Sequence, residues 1–316
     1  MAMSFVEVSS RVLAGTRTRL RQLVAELPQP LANRVGSAVL HYADKQIDRD
    51  PPRNIVTAVA YDCGLRDLDV LVEAGLATAL GGMHSLVLDE FVDNRGASDR
   101  PWHDLYVCHI LHVLHQRSLQ RIHPADWFPQ GIDTDVAAQV CTYNALMDEE
   151  LNHVGVASAY ESPRIVWEKC SPVKAVIERV LAAAGRRADL ARYFSACDLA
   201  CFALCTLDDM LDWGEDFRLR RFTYPIQSAM TRLGIDWDEV RAEEIRAEVY
   251  AELCYGRTYH ELLKQVLDSL DEAIGLVGHH APNLAMLVGA SRAAAAESWR
   301  DHVGYLLDVE RGLVAG

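Results

Sequence analysis

The stretch Leu207–Pro225, LDDMLDWGEDFRLRRFTYP, places five carboxylates and three arginines within nineteen residues, directly after the apolar run Leu199–Leu207, LACFALCTL. Asp208, Asp212 and Asp216 recur at four-residue steps, so on a helix they form one acidic ridge, with Asp209 and Glu215 beside it. Each like-charge step opposes the helix by roughly 0.2 to 0.5 kcal/mol when exposed. The penalty grows if the ridge faces a cleft, where a bound cation reverses it. Magnesium fits such a ridge, because it prefers carboxylate oxygens and completes its shell with phosphate oxygens and water. Arg218, Arg220 and Arg221 follow one turn later. Guanidinium groups beside a metal-binding ridge describe a diphosphate site. A charge run like this also suits a plain solvated helix end, so a second acidic cluster changes the weighing.

That cluster is Leu86–Asn94, LVLDEFVDN, in which Asp89 and Asp93 lie four apart with Glu90 between them. Apolar residues precede both clusters, so both carboxylate sets are expected at the C-terminal ends of buried helices. A helix C-terminus carries partial negative charge and disfavours acid unless a cation compensates. Two such placements in one chain argue for two metal-binding walls facing one another.

The pair Asp89 to Asp93, reading DEFVD, and Asp208 to Asp216, reading DDMLDWGED, resembles the two aspartate-rich motifs of the class I isoprenoid synthase superfamily. The second motif looks most like that of the all-trans prenyl diphosphate synthases. The resemblance implies an all-α fold, a helical barrel or bundle of the class I isoprenoid (terpenoid) synthase type, here as a single domain over 1–316. It implies magnesium, three ions in number, held by Asp89, Glu90, Asp93, Asp208, Asp209, Asp212 and Asp216 around an allylic prenyl diphosphate. Asp89, Asp93, Asp208, Asp209 and Asp212 would be the catalytic carboxylates. Lys169, in WEKCSPVKAV, stands where the family has a diphosphate-binding lysine, and only four lysines occur in the chain. Arg164, Arg218, Arg220 and Arg221 would complete the grip on the diphosphate. A homodimer is compatible with the family.

Departures from the pattern bear on the reaction. The Gly-Gly-Lys-Arg segment that serves the isopentenyl co-substrate is missing, and DPPRN at Asp50–Asn54 offers only Arg53. Cys205 replaces a glutamine expected three residues before the second motif. Glu90 replaces the second aspartate of the first motif, and the arginines after it are scattered as Arg95 and Arg100. The Asn/Ser/Glu metal motif and late Arg-Tyr pair of bacterial terpene cyclases are also missing. The resemblance spans about residues 65–225. The missing co-substrate segment points first to a terpene synthase, which lets the allylic cation attack its own double bonds. The runner-up is a prenyltransferase that joins the allylic group to isopentenyl diphosphate or another acceptor. Phe91, Tyr143, Trp167 and Phe202 are candidate aromatic faces for the cation.

Half of the 316 residues are apolar, ample for a buried core. A net charge of -14 disfavours nucleic acid or an anionic membrane surface as main partner. Eight cysteines with no CxxC pair and no secretory leader read as reduced thiols of a cytoplasmic protein. No apolar run is expected to reach the eighteen or more residues that cross a bilayer, so an integral membrane protein is not expected.

Helical periodicity covers residues 4–27, then Pro30 to Gln46, where Asp50, Pro51 and Pro52 break it. From Arg66 to Asp93 the pattern is apolar nearly all round, hence a buried helix. Gly81 and Gly82 inside it imply close helix packing or a kink beside the site. His103–Arg121 is helical, and His109, His112 and His115 share a face that would suit a transition metal or ordinary hydrogen bonding. Glu150 and His153 give one copy of the Glu-x-x-His spacing, where di-iron chemistry needs two. Cys197, Cys201 and Cys205 stand at four-residue steps and read as cavity lining. Residues 236–276 and 282–311 give two further long helices, joined at Gly278–Pro282.

Overall fold

The computed structural model describes residues 3–47, 51–93, 101–123, 168, 170–219, 222–235 and 243–314, and among them there is no strand. Helix α1, Phe5–Glu26, starts at Ser4, whose hydroxyl accepts from the Glu7 N–H at 3.3 Å while Glu7 Oε2 accepts from the Ser4 N–H at 2.8 Å. This reciprocal cap satisfies two otherwise orphaned donors. Phe5, Val8, Val12, Thr16 and Leu20 form the buried stripe of α1, at the three- and four-residue spacing of one helix face. Helix α2, Gln29–His41, has Pro30 in its first turn and runs into a π-helical segment, Tyr42–Gln46.

The prolines that mark a break in the sequence also start the next element, helix α3, Pro51–Asp62. Proline lacks only a donor that a first turn does not need, so one signal ends one helix and opens another. Helix α4, Leu68–Asp93, ends on the first acidic cluster, and α5, Pro101–Ile122, packs along it. Then follow α6, Ser171–Ala183, and α7, Leu190–Leu219, which carries the second cluster. After α8, Tyr224–Leu233, the expected single helix over 236–276 is two: α9, Glu243–Tyr255, and α10, Arg257–Val277. Gly256 separates them, pressed against Glu252, whose carboxylate accepts from Thr258 N at 2.9 Å and Thr258 Oγ1 at 2.7 Å. A Glu252 side chain that caps α10 cannot leave the chain straight at Gly256, and periodicity does not register this. Helix α11, Pro282–Val314, closes the order, its first N–H groups received by Asp62 at the end of α3.

The largest core joins α1, α3, α4, the end of α5, α6, α7, α10 and α11 around Val56, Leu71, Ile177, Tyr193 and Leu263. A second gathers α1, α2, α4 and α5 around Leu20, Leu80 and Leu111, and a third packs α7 to α10 around Phe217, Ile226 and Val249. Two segments, Leu68–Leu88 and Arg187–Arg218, are long and apolar enough to cross a membrane, contrary to the expectation from sequence. Both contribute to the core: α4 is walled in by its neighbours and needs apolar residues around most of its circumference, while α7 is less enclosed.

Candidate active site

Contacts at two levels orient α4 and α7. At the lower level the end of α3, just before α4, meets the start of α7, where Cys63 Sγ donates to Tyr193 Oη at 3.5 Å. Higher up, the first turn of α6 touches both long helices. A Cβ on Gly81 of α4 would lie 3.2 Å from Pro172 Cβ, and Lys174 Nζ sits 2.5 Å from Asp198 Oδ1 of α7. Helices α4 and α7 therefore run the same way on either side of α6. Asp89 lies eight residues beyond Gly81, about 12 Å at 1.5 Å per residue. Asp208 lies ten residues beyond Asp198, about 15 Å. Each helix thus carries its acidic cluster beyond the level at which it touches the first turn of α6. A helix N-terminus carries partial positive charge and unpaired N–H groups, and favours an anion. In α6 the dipole remains but the free donors are few: Pro172 has no N–H, and the Val173 and Lys174 N–H groups donate to Cys170 O at 3.0 and 3.2 Å.

The first cluster occupies the last turns of α4 as expected, with Asp89, Glu90 and Asp93 in helical backbone. Their side chains lie outside the described residues. The second cluster differs from expectation. Helix α7 continues to Leu219, so Asp208 and Asp212 stand inside it and the C-terminal dipole acts mainly on Glu215 and Asp216. Asp208 and Asp212 are exposed, and neither has a hydrogen bond or ion pair among the described residues. Partial desolvation pushes the Asp208 carboxyl above its ordinary range, and the neighbouring charge of Asp212 adds to it. A divalent cation would relieve both costs. The carboxylate oxygens of this ridge suit magnesium.

Arg218 ends α7, exposed, with Nη2 at 3.4 Å from Glu215 Oε1. Arg164, Lys169, Arg220 and Arg221 lie outside the described residues, as do Glu150, His153, Tyr143 and Trp167. Lys174, the other lysine of the same segment, is committed to Asp198, and burial pushes that carboxyl up while Lys174 pulls it down. Lys174 is therefore not available as the diphosphate-binding lysine, and Lys169 stays as the sequence-based candidate. Phe202 does not lie beneath the ridge: it sits about 120° around α7 from Asp208 and packs its ring 6.1 Å from Tyr224 in the core.

Cys197, Cys201 and Cys205 do share the face of the ridge, deeper along α7. Cys197 and Cys201 are fully buried, their sulfurs 3.8 Å apart, and Cys170 from α6 joins them. Hydrogen bonding with Cys170 and Cys197, then burial, pushes the Cys201 thiol well up, and the buried sulfurs pack as small apolar groups. The three histidines of α5 do not converge. His115 is buried, with Nδ1 donating to Ala77 O of α4 at 2.8 Å, while His109 is exposed. His112 instead faces His84 of α4, ring centroids 5.6 Å apart. Burial lowers His84 and His115 to about 4, each further lowered by neighbouring imidazoles, with the Ala77 carbonyl opposing this for His115. Among the described residues no group of three or more His, Cys, Asp or Glu side chains is placed to hold a metal.

No family model and no curated protein sequence matches the chain. Solved structures do resemble it. Geranylgeranyl pyrophosphate synthase from Lactobacillus brevis superposes with a TM-score of 0.69 at 12% identity, over 88% of this chain and 94% of that one. Octaprenyl pyrophosphate synthase from Helicobacter pylori gives 0.54 at 15% identity, over 83% and 96%. The chain has the helical fold of the class I isoprenoid synthases, in the form found in all-trans prenyl diphosphate synthases. At these identities the likeness is one of fold.

Proposed function

We propose that this protein is an isoprenoid synthase that ionises an allylic prenyl diphosphate and transfers the prenyl group to isopentenyl diphosphate or another acceptor. The reading is supported by the two acidic clusters, which come late in two long helices, α4 and α7, that both pack on α6. Asp89, Glu90 and Asp93 on one side, and Asp208, Asp209, Asp212 and Asp216 on the other, would hold magnesium. Bound there, magnesium supplies Lewis-acid stabilisation of the negative charge that develops on the departing diphosphate. Lys169, two residues before α6 in the sequence, would bind the diphosphate as a point charge. Arg164, Arg218, Arg220 and Arg221 are the further guanidinium groups of the grip. Such pre-placed positive charge stabilises the transition state without reorganisation during the reaction.

Sequence alone favours the terpene synthase, but both named structural neighbours are prenyl diphosphate synthases, which supports the transferase. The terpene synthase stays as a second reading for one reason. Arg53, the only cation in place of the missing co-substrate segment, is 2% exposed, with Nη2 donating to Asn54 Oδ1 at 2.8 Å. A cytoplasmic setting fits the free thiols at all described cysteines.

The test incubates purified protein with magnesium and geranyl, farnesyl or geranylgeranyl diphosphate, each with and without isopentenyl diphosphate, and analyses products by mass. A longer diphosphate that forms only with the co-substrate is the expected result. A hydrocarbon or alcohol formed from one allylic substrate alone would replace the transferase with the terpene synthase. Diphosphate release in neither case would leave a helical cation-binding protein and end both enzyme readings.

A further inference from the structure

A cavity of about 400 Å³ lies between α1, the start of α2 and α5. It shares no lining residue with the acidic ends of α4 and α7, and its volume falls in the usual range for small-molecule sites, about 300 to 1,000 Å³. Its floor is apolar: Leu23, Leu31, Leu76, Ile110, Val113 and Leu114. Its rim carries three guanidinium groups, Arg19 from α1 and Arg117 and Arg121 from α5. One carboxylate, Glu26, joins them on the rim.

This charge pattern is opposite to that of the chain as a whole, which carries -14. Arg117 and Arg121 stand four residues apart on one face of α5, so each opposes the other in the empty groove. Arg121 is only partly compensated, its Nη1 lying 3.4 Å from Glu73 Oε1 while its side chain remains 63% exposed. Arg19 and Arg117 are exposed and have no ion pair among the described residues. Three cations over an apolar floor match a molecule with one anionic head and one hydrocarbon chain. The head would take charge-assisted hydrogen bonds from the guanidinium forks, and the chain would cover leucine and valine surface now facing solvent.

We propose that this groove is a second ligand site, for a single-chain anionic amphiphile such as an alkyl or prenyl phosphate or a fatty carboxylate. The site stands on its own geometry and does not depend on the reaction proposed above. It supplies a place where a lipid anion can bind without entering the space between α4 and α7.

The test is calorimetric titration of the full chain with monomeric dodecyl phosphate in the presence of a magnesium chelator, so that the acidic ridges repel the probe. Saturable one-to-one binding is expected, weakened about tenfold or more by the double variant Arg19→Glu, Arg117→Glu. Leu114→Trp, which fills the floor, should weaken it comparably. The charge variants lie at the exposed rim, so they keep the test open should Leu114→Trp misfold by circular dichroism. Inorganic phosphate and dodecanol are titrated in parallel. Equal binding of either would reduce the site to a plain anion or apolar contact and overturn the proposal. So would absence of dodecyl phosphate binding, or binding indifferent to both rim arginines. Phosphatidylglycerol vesicles form the last arm: binding to vesicles without binding to the monomer would make this a membrane-docking face instead.

Discussion

Helices α4 and α7 carry the two acidic clusters on similarly apolar sequence, yet 67% of the apolar window of α4 is buried against 44% of that of α7. Helix α4 is enclosed by α1, α3, α5 and α6, and delivers its acids only in its last turns. Helix α7 rests mainly on α10 and, among the described residues, leaves one side open, so its acids form a ridge along the helix with Asp208 and Asp212 exposed. Leu211, between them, is 80% exposed. In the proposed site, the difference would let one chemistry be reached by two routes. A helix buried all round offers ligands at its end, and a helix buried on one side offers them along its flank.

The sharpest way to break this comparison is to neutralise one acid from each helix. Asp89→Asn and Asp208→Asn should each lower magnesium-dependent diphosphate release by about 100-fold or more, with helical circular dichroism unchanged. If only one substitution has an effect, the helices do not form two walls of one site.

A second prediction concerns what encloses α4. The folded value of about 4 for His115 lies below its ordinary 6.5, so the unfolded chain takes up this proton first as the pH falls. The stability it contributes is whole above pH 6.5 and is lost between 6.5 and about 4, on the order of 3 kcal/mol by the lower limit. His84 adds a loss of the same sign, while α7 has no buried histidine of its own. Thermal melts from pH 7.5 to 4 should fall steeply for the native chain and less steeply for His115→Gln. Equal slopes would mean that His115 is not held neutral against Ala77.

The smallest effect separates two neighbours on α4. A Cβ at Gly81 would meet the His115 ring at 3.0 Å and Pro172 at 3.2 Å, whereas one at Gly82 meets nothing within 4 Å. Gly81→Val should therefore destabilise by about 2 kcal/mol through overpacking. Gly82→Ala should stabilise by up to about 1 kcal/mol through helix propensity. Denaturant midpoints for the two variants check this, and equal shifts would dissolve the distinction between the packed and open sides of α4.

Those glycines also show where the sequence reading stopped. It placed both in one long buried helix and foresaw close packing or a kink, but not that the packing belongs to Gly81 alone. Helices α1, α4, α5 and α11 were legible because their apolar spacing repeats over five turns or more. Helix α3 was hidden behind the prolines that begin it, and the break between α9 and α10 depends on where the Glu252 side chain goes. His84 and His112 met across two helices, although the pattern had grouped His112 with His109 and His115. The fold neighbours favour the proposed transfer, which the second acidic motif had supported only as the runner-up.

By itself the sequence determined the all-helical class and the two acidic clusters, because four-residue recurrence is a local property that survives without knowledge of neighbours. The tertiary structure alone decided that α4 and α7 run parallel with α6 between them, that Lys174 belongs to Asp198 and not to a ligand, and that three arginines share an apolar groove. These depend on which surfaces meet, and a contact between residues far apart in sequence leaves no periodic trace in either segment.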